Sequence, residues 1–306
     1  MLGPILETLI GGLLTGVLYA LVALGFVLIF KASGVFNFAQ GAMVLFAALS
    51  LARLAEFMPF VLALALSILI MIALAYAIEF LVLRHLVNQA GIILFMATLG
   101  IAYFLEGFGQ MLWGSEIYRI GLGLPTEPIF ILESMFPGGL LIDPIELAAA
   151  TICALMVAAL ALFFQVTRMG RALRAVADDH QAAQSVGIPL NQIWLMVWAA
   201  AGLVSLVAGM MWGAKLGVQF SLSLVALKAL PVLILGGFTS IPGAIVGGLI
   251  VGAGEKLAEV LLAPVLISTF DLAGGGIENW FAYVLALLFL LVRPQGLFGE
   301  RIIERV

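Results

Sequence analysis

Long apolar runs, separated by short polar stops, divide this chain from end to end. The runs at 6–30, 60–83, 91–113, 145–166, 193–212 and 244–262 each approach the ~20 residues that a helix needs to cross a bilayer. Shorter apolar stretches follow Gly41 up to Arg53, occupy 224–235, and fill 280–292. The stretch at 224–235 carries Lys228 and Pro231 and is too brief to cross unaided. The pattern therefore predicts an all-α fold, a polytopic transmembrane helical bundle of about nine membrane segments (range roughly eight to ten), some broken or half length. Gly12 and Gly16 in the first run place two small residues four apart, a surface for close helix packing.

Two interruptions break the apolar pattern. Asn37, Phe38, Gln40 and Gly41 follow a turn at 32–34, and Gly236, Gly237, Pro242 and Gly243 separate the short run from the Gly-rich helix after it. Non-helical backbone at membrane depth is tolerated where it is buried in protein or lines a cavity, and paired breaks in two halves of a chain point to a transport path. An ordinary turn between two spans explains the same spacing. Acids inside apolar runs are costly and usually face a bundle interior. Glu106 is the clearest, with Gln110 one turn on and Thr98 two turns earlier; a pathway role and an interhelical hydrogen bond both fit it. Glu79 lies within reach of Arg84, and Glu255, Lys256 and Glu259 have the spacing of intrahelical pairs.

The stretch 168–189 is the polar exception. Its alanines and leucine favour a helix, Gly187 followed by Pro189 stops one, and Leu173, Val176, His180 and Ala183 fall close to one face. Arg171, Arg174, Asp178 and Asp179 decorate the remainder. Such a helix lies either on lipid or in a groove of another protein. Two acids and a small apolar area, much of it alanine, weigh against lipid.

Composition agrees with the pattern. Of 306 residues 64% are hydrophobic and 10% charged, against roughly a quarter charged in a soluble domain, and the mean hydropathy is +1.26. The net charge of −4 matters less than where the charges lie. Threading the segments with the C-terminus inside puts Lys31, Arg84, Arg168, Arg171, Arg174, Arg293, Arg301 and Arg305 in the cytoplasm and only Arg53, Arg119 and Lys215 outside. The loop at 114–144, rich in Gly, Pro and acids, then lies on the periplasmic side and the polar stretch at 168–190 in the cytoplasm, within a single transmembrane domain over 1–306. One cysteine, Cys153, excludes a disulfide framework, and residues 9–30 are too long an apolar run for a cleavable signal. No P-loop, GxSxG or HExxH motif is present, so neither a catalytic nor a metal site is expected, and nothing points to nucleic acid.

Several spaced segments carry a resemblance to a known family. The segments 18–25 (LYALVALG) and 34–41 (GVFNFAQG), then 168–179 (RMGRALRAVADD), 235–244 (LGGFTSIPGA) and 293–298 (RPQGLF), resemble in order the permease subunits of branched-chain amino-acid ABC importers. The run 181–187 (QAAQSVG) is similar to the loop that bacterial import permeases present to their ATPases, with Gln where that loop has Glu. The resemblance covers almost the whole chain. It implies an inner-membrane permease that pairs with a second, homologous permease, docks two ABC ATPase subunits and receives substrate from a periplasmic binding protein. ATP and Mg would sit on the ATPases, with no cofactor in this chain. It makes 168–190 the coupling helix, with Arg171, Arg174, Asp178, Asp179, Ala182, Ala183, Ser185 and Gly187 as the coupling residues. Asn37, Phe38, Gln40, Gly41, Thr98, Glu106, Gly236, Gly237, Pro242 and Gly243 are then the candidates for the translocation pathway.

Three positions depart from the family pattern: Ala42 replaces a common acid, only Arg84 and His85 remain of a second basic cluster, and Glu106 stands where a neutral Gln is expected. The implied substrates are branched-chain or other small amino acids; urea, short amides and aromatic or carboxylic acids are carried by similar permeases. A self-sufficient secondary transporter or channel also explains the breaks and Glu106, but gives the polar helix no task.

Overall fold

The computed structural model describes residues 2–87, 89–125, 127–131, 139–178, 180–270 and 276–299. Helices dominate: α1 (Leu2–Ser33), α2 (Gln40–Phe57), α3 (Phe60–Leu81), α4 (Gly91–Trp113), α5 (Pro144–Val166), α6 (Arg168–Asp178), α7 (His180–Ser185), α8 (Leu190–Leu216), α9 (Val225–Gly236), α10 (Ile241–Phe270) and α11 (Ile277–Val292). Six of them, α1 to α5 and α8, are long and apolar enough to cross a membrane; the bent pair α9–α10 counts as one further span, and α11 is a shorter apolar helix. With α9 and α10 taken singly, these are the nine segments that the apolar pattern predicts.

Local chemistry sets the helix ends. Gly34 (φ 68°) closes α1 by donating its N–H to Phe30 O at 2.7 Å, and Gly114 (φ 80°) closes α4 on Gln110 O at 2.9 Å. Asp143 caps α5, its carboxylate accepting the N–H of Ile145 at 2.8 Å, with Pro144 in the first turn where no N–H is needed. The loop before α5 contains a hairpin absent from the sequence reading. There β1 (Ile129–Ile131) pairs antiparallel with β2 (Leu140–Ile142), Ile129 opposite Ile142. α10 runs past the expected end at 262, through Pro264 to Phe270, because the residues beyond stay apolar.

The chain forms two compact units. One comprises Leu24–Leu122 and Ala154–Ala226. At its centre α2 packs against α3, α4 and α8, and every residue of α2 from Gln40 to Ala52 is buried. Emptying a site such as Leu45 or Leu49, each 1% exposed, would cost about 2–5 kcal/mol. α8 approaches closely at Gly209, where a Cβ would stand 3.1 Å from that of Ala48. Val61, Leu69, Tyr103 and Met111 project outward, more than half exposed, as bilayer-facing residues do.

The other unit comprises Met1–Ala23, Gly123–Cys153 and Leu227–Val306. Here the paired glycines of α1 meet a matching set on α10: a Cβ on Gly12 would lie 2.8 Å from Ala253 Cα, and Gly16 abuts Gly248 and Gly252. Backbones this close give dispersion contact that no larger residue permits.

Candidate functional site

Three groups of residues carry the sequence expectations, and the structure assembles each locally. The first is the polar stretch after α5. Thr167 ends α5 and caps α6, its hydroxyl accepting the N–H of Gly170 at 3.0 Å. Gly170 presses its missing side chain against the backbone of Phe164, which fixes the corner. The guanidinium of Arg171 donates to Val166 O at 3.1 Å and that of Arg174 to Phe164 O at 2.5 Å, so both arginines satisfy carbonyls that the end of α5 leaves open. Leu173, Val176 and Ala183 are buried as the predicted face requires. Arg171, Arg174, Ala182, Ser185 and Gly187 are exposed, and Val186 is 76% exposed. Gly187 (φ 84°) ends the stretch: its N–H reaches Gln184 O and that of Ile188 reaches Ala183 O, both at 3.0 Å, the paired bonds of a Schellman turn. Asp178 ends α6, and Asp179 lies outside the described residues.

The second group is the break between α1 and α2. Asn37, Gln40 and Ser205 are 0% exposed and Thr98 3%. Asn37 closes an Asx turn just ahead of α2, its side-chain oxygen accepting the N–H of Ala39 at 3.0 Å. Its amide nitrogen reaches Gln40 Oε1 at 3.5 Å, and Gln40 Nε2 donates to Ser205 Oγ at 2.9 Å. The N–H of Phe38 donates to Thr98 Oγ1 at 3.2 Å. Gly25 provides the space for the Gln40 carboxamide, and Gly41 passes against Ser223 O, with the Ala226 Cβ 2.9 Å from where its own would be. Stacked and edge-on rings of Phe26, Phe36, Phe38 and Phe95, at 4.6–4.8 Å between neighbours, cover this polar knot. The chain is therefore broken here by a hydrogen-bonded turn whose polar side chains are buried; Gly34 and Phe38 are exposed, and Phe38, at 37%, is the large side chain among them. Glu106, two turns beyond Thr98 on α4, is half-buried and makes no hydrogen bond or ion pair among the described residues.

The third group is the break between α9 and α10, where the helices bend by 114°. Ser240 caps α10 through its hydroxyl, which accepts the N–H of Gly243 at 3.1 Å, and Pro242 sits in the first turn. Gly236 and Gly243 touch backbone to backbone. Nearby in the same unit is a charged cluster that sequence spacing only half reveals. Lys256 pairs with Glu259 at 3.6 Å, as its spacing suggests, but also with Glu278 at 3.2 Å, and Lys228 lies 3.9 Å from Glu278. Glu255 turns away from its helical neighbours and accepts the hydroxyl of Tyr19 at 3.0 Å. A cleft of about 450 Å³ lies alongside, lined among others by Glu7, Thr15, Asp143, Glu146 and Lys256. Lys228 and Glu278, charged residues in or beside apolar runs, were the available signal for this cluster.

Residues 8–293 match the model of the family described as branched-chain amino acid transport system / permease component. The chain belongs to that family. Among curated relatives, the permease is 30% identical to the high-affinity branched-chain amino acid transport system permease protein BraD of Pseudomonas aeruginosa, covering 98% of both chains. It is 28% identical to LivH of Escherichia coli K12, a protein of the same description, over 98% of this chain and 97% of that one. A probable LivH of Methanocaldococcus jannaschii is 29% identical over 94% and 91%. Among solved structures, PsaBC from Streptococcus pneumoniae in complex with Fab covers 97% of this permease at 17% identity, with a TM-score of 0.48.

Proposed function

We propose that this permease is the membrane-spanning subunit of an ATP-driven, binding-protein-dependent importer for branched-chain or other small amino acids. The observation that carries the reading is the α6–α7 stretch. It is a short, anchored helical pair that presents Arg171, Arg174, Ser185 and Val186 outward, held to the end of α5 by two arginines and closed by the turn at Gly187. A membrane protein with no use for a soluble partner gains nothing from such an anchored surface, whereas a groove on an ATPase would receive it. Charges of both signs at its rim would set the register of docking.

In this reading two ATPase subunits bind ATP and Mg, and their closure is transmitted through α6 and α7 to α5 and α8. A second, homologous permease completes the pathway, and a periplasmic binding protein delivers the substrate. The α6–α7 stretch and the C-terminal tail then lie in the cytoplasm. Glu106 supports a path beside α4, because a carboxylate in a span with no partner among the described residues needs water or a second chain against it.

Ser185→Trp and Gly187→Val test the reading in the full complex. The first adds bulk to the exposed face and the second forces a β-branched residue into a left-handed turn. The variants should insert normally but retain ATPase subunits poorly and lose ATP-driven uptake. Undiminished uptake without ATP would instead establish a self-sufficient transporter.

A further inference from the structure

Two of the segments that the sequence singled out, 235–244 and 293–298, turn out to touch, and the contact is built from backbone. The half-helix α9 has two defects that a membrane interior penalises. Pro231 has no N–H, so the carbonyl of Leu227 one turn earlier loses its helical partner. The helix then stops at Gly236 within the bent pair, leaving its last carbonyls open.

Both defects are mended by one continuous piece of chain, α11 and the strap that follows it. The hydroxyl of Tyr283 on α11 donates to Leu227 O at 2.7 Å, replacing the bond that Pro231 removes. Glu278, one turn before, adds an ion pair to Lys228 at 3.9 Å. At the other end of α9, the N–H of Leu297 donates to Leu235 O at 2.7 Å and that of Phe298 to Gly236 O at 3.1 Å. Gly237 itself closes on Leu233 O at 2.8 Å. The strap approaches so closely that side chains are excluded. A Cβ on Gly237 (φ 101°) would stand 2.7 Å from Gly299 N, and one on Gly296 (φ 78°) would stand 2.7 Å from Gly237 N.

We propose that Glu278, Tyr283 and the strap 293–299 form a clamp that positions α9 for transport, holding the break at 237–240 in one geometry throughout the cycle. Tyr283 and Gly296 are its positioning residues. This rests on the transport reading above, since the clamp is proposed to serve uptake. A break that must stay open as irregular backbone gains from having both ends of its half-helix tied to the same neighbour. The motif RPQGLF is then the complement of LGGFTSIPGA: the glycines of each admit the backbone of the other.

The test uses the reconstituted complex with its ATPases and binding protein, measuring uptake against substrate concentration. Tyr283→Phe and Gly296→Ala should lower the maximal rate by about tenfold with KM little changed, as expected for positioning rather than substrate contact. Pro231→Ala should rescue Tyr283→Phe, because the restored N–H takes over the Leu227 carbonyl. Gly123→Ala, with φ 66° but nothing within 4 Å, is the control for backbone strain alone and should transport normally. Parental rates in both Tyr283→Phe and Gly296→Ala overturn the clamp, as does a failure of Pro231→Ala to rescue. Where Gly296→Ala does not assemble, hydrogen exchange on the parent decides. The amides of Leu297 and Phe298 should stay protected both without nucleotide and with trapped ATP, and loss of protection in either state makes the strap a moving gate. A parental complex with protected amides but no ATP-dependent uptake would refute the transport reading and not the contact.

Discussion

Gly25→Ala separates helix propensity from the packing seen around Gln40. Gly25 lies inside α1, where replacing glycine by alanine favours an isolated helix by about 1 kcal/mol. The structure predicts the opposite sign. A Cβ at this position would stand 2.5 Å from Gln40 Cδ and 2.8 Å from its Oε1, inside the contact distance of the carboxamide. Gln40 is 0% exposed and has nowhere to retreat without giving up its bond to Ser205 Oγ. Overpacking costs about 1–3 kcal/mol, and a buried amide left unpaired costs another ~1–3 kcal/mol. Set against the propensity gain, the net loss is roughly 1–5 kcal/mol. Gln40→Ala alone also destabilises, because Asn37 loses its partner. In the double variant the shorter side chain leaves room for the new methyl, so the two losses do not add, and a coupling of about 1–3 kcal/mol is expected. Reversible unfolding of the four proteins in mixed micelles, followed by tryptophan fluorescence, measures the cycle. Gly100→Ala on α4, where a Cβ meets nothing within 4 Å, is the control that should not destabilise. Energies of the two single variants that add to within about 0.5 kcal/mol, or a Gly25→Ala protein as stable as its parent, would refute the reasoning.

Arg84→Ala leaves the Glu79 carboxylate, whose side chain is 3% exposed, without the guanidinium 3.0 Å away, and should destabilise by about 3 kcal/mol in the same micelle assay. Arg84→Lys should recover only part of this, because a point charge does not replace a planar donor. Gly252→Leu drives a side chain into α1 at Gly12 and Gly16 and should cost at least about 3 kcal/mol or prevent accumulation in the membrane, read by the amount of folded protein. Glu106→Gln should leave stability within about 0.5 kcal/mol, since the carboxylate has no partner among the described residues, while shifting the KM or the choice of substrate in uptake assays.

Much of this fold was legible because lipid imposes a one-dimensional rule. A span needs an apolar run and a stop, and both are local: α4 and α5 begin and end within a residue of expectation because Gly91, Gly114, Pro144 and Thr167 punctuate the runs. The polar stretch at 168–189 was legible for the converse reason, as polarity where none is needed, and its buried Leu173, Val176 and Ala183 follow from helical periodicity. The hairpin of β1 and β2 was not legible, because three-residue strands carry too little pattern to stand out from a loop. Glu255 shows a different limit. Its spacing offers Lys256 and Glu259 as partners, yet its hydrogen bond is to Tyr19, 236 residues away, and nothing in local spacing can select a partner at that separation.

Glycine marks the same boundary most clearly. Gly12 and Gly16 could be read as a packing surface from their spacing alone, whereas Gly25 and Gly209 sit singly in ordinary apolar runs and Gly41 and Gly170 in segments that stand out for other reasons. Each of these four admits something specific: a carboxamide, the backbone of α2, a carbonyl, the end of α5. What a lone glycine accommodates is a property of the partner and not of its own neighbours in sequence, so only the folded chain reveals it. The break at 34–39 illustrates the consequence. Polar residues there suggest a lining for a water-filled path, but Gly25 and Ser205 receive Gln40, Thr98 receives the backbone of Phe38, and the polar groups are spent on one another. Asn37 and Gln40 thus fix the shape of the turn, and the large side chain it leaves exposed is the ring of Phe38. A pathway built on this break would therefore be lined by an aromatic surface held in place from behind, a surface that suits an apolar side chain better than a charged one.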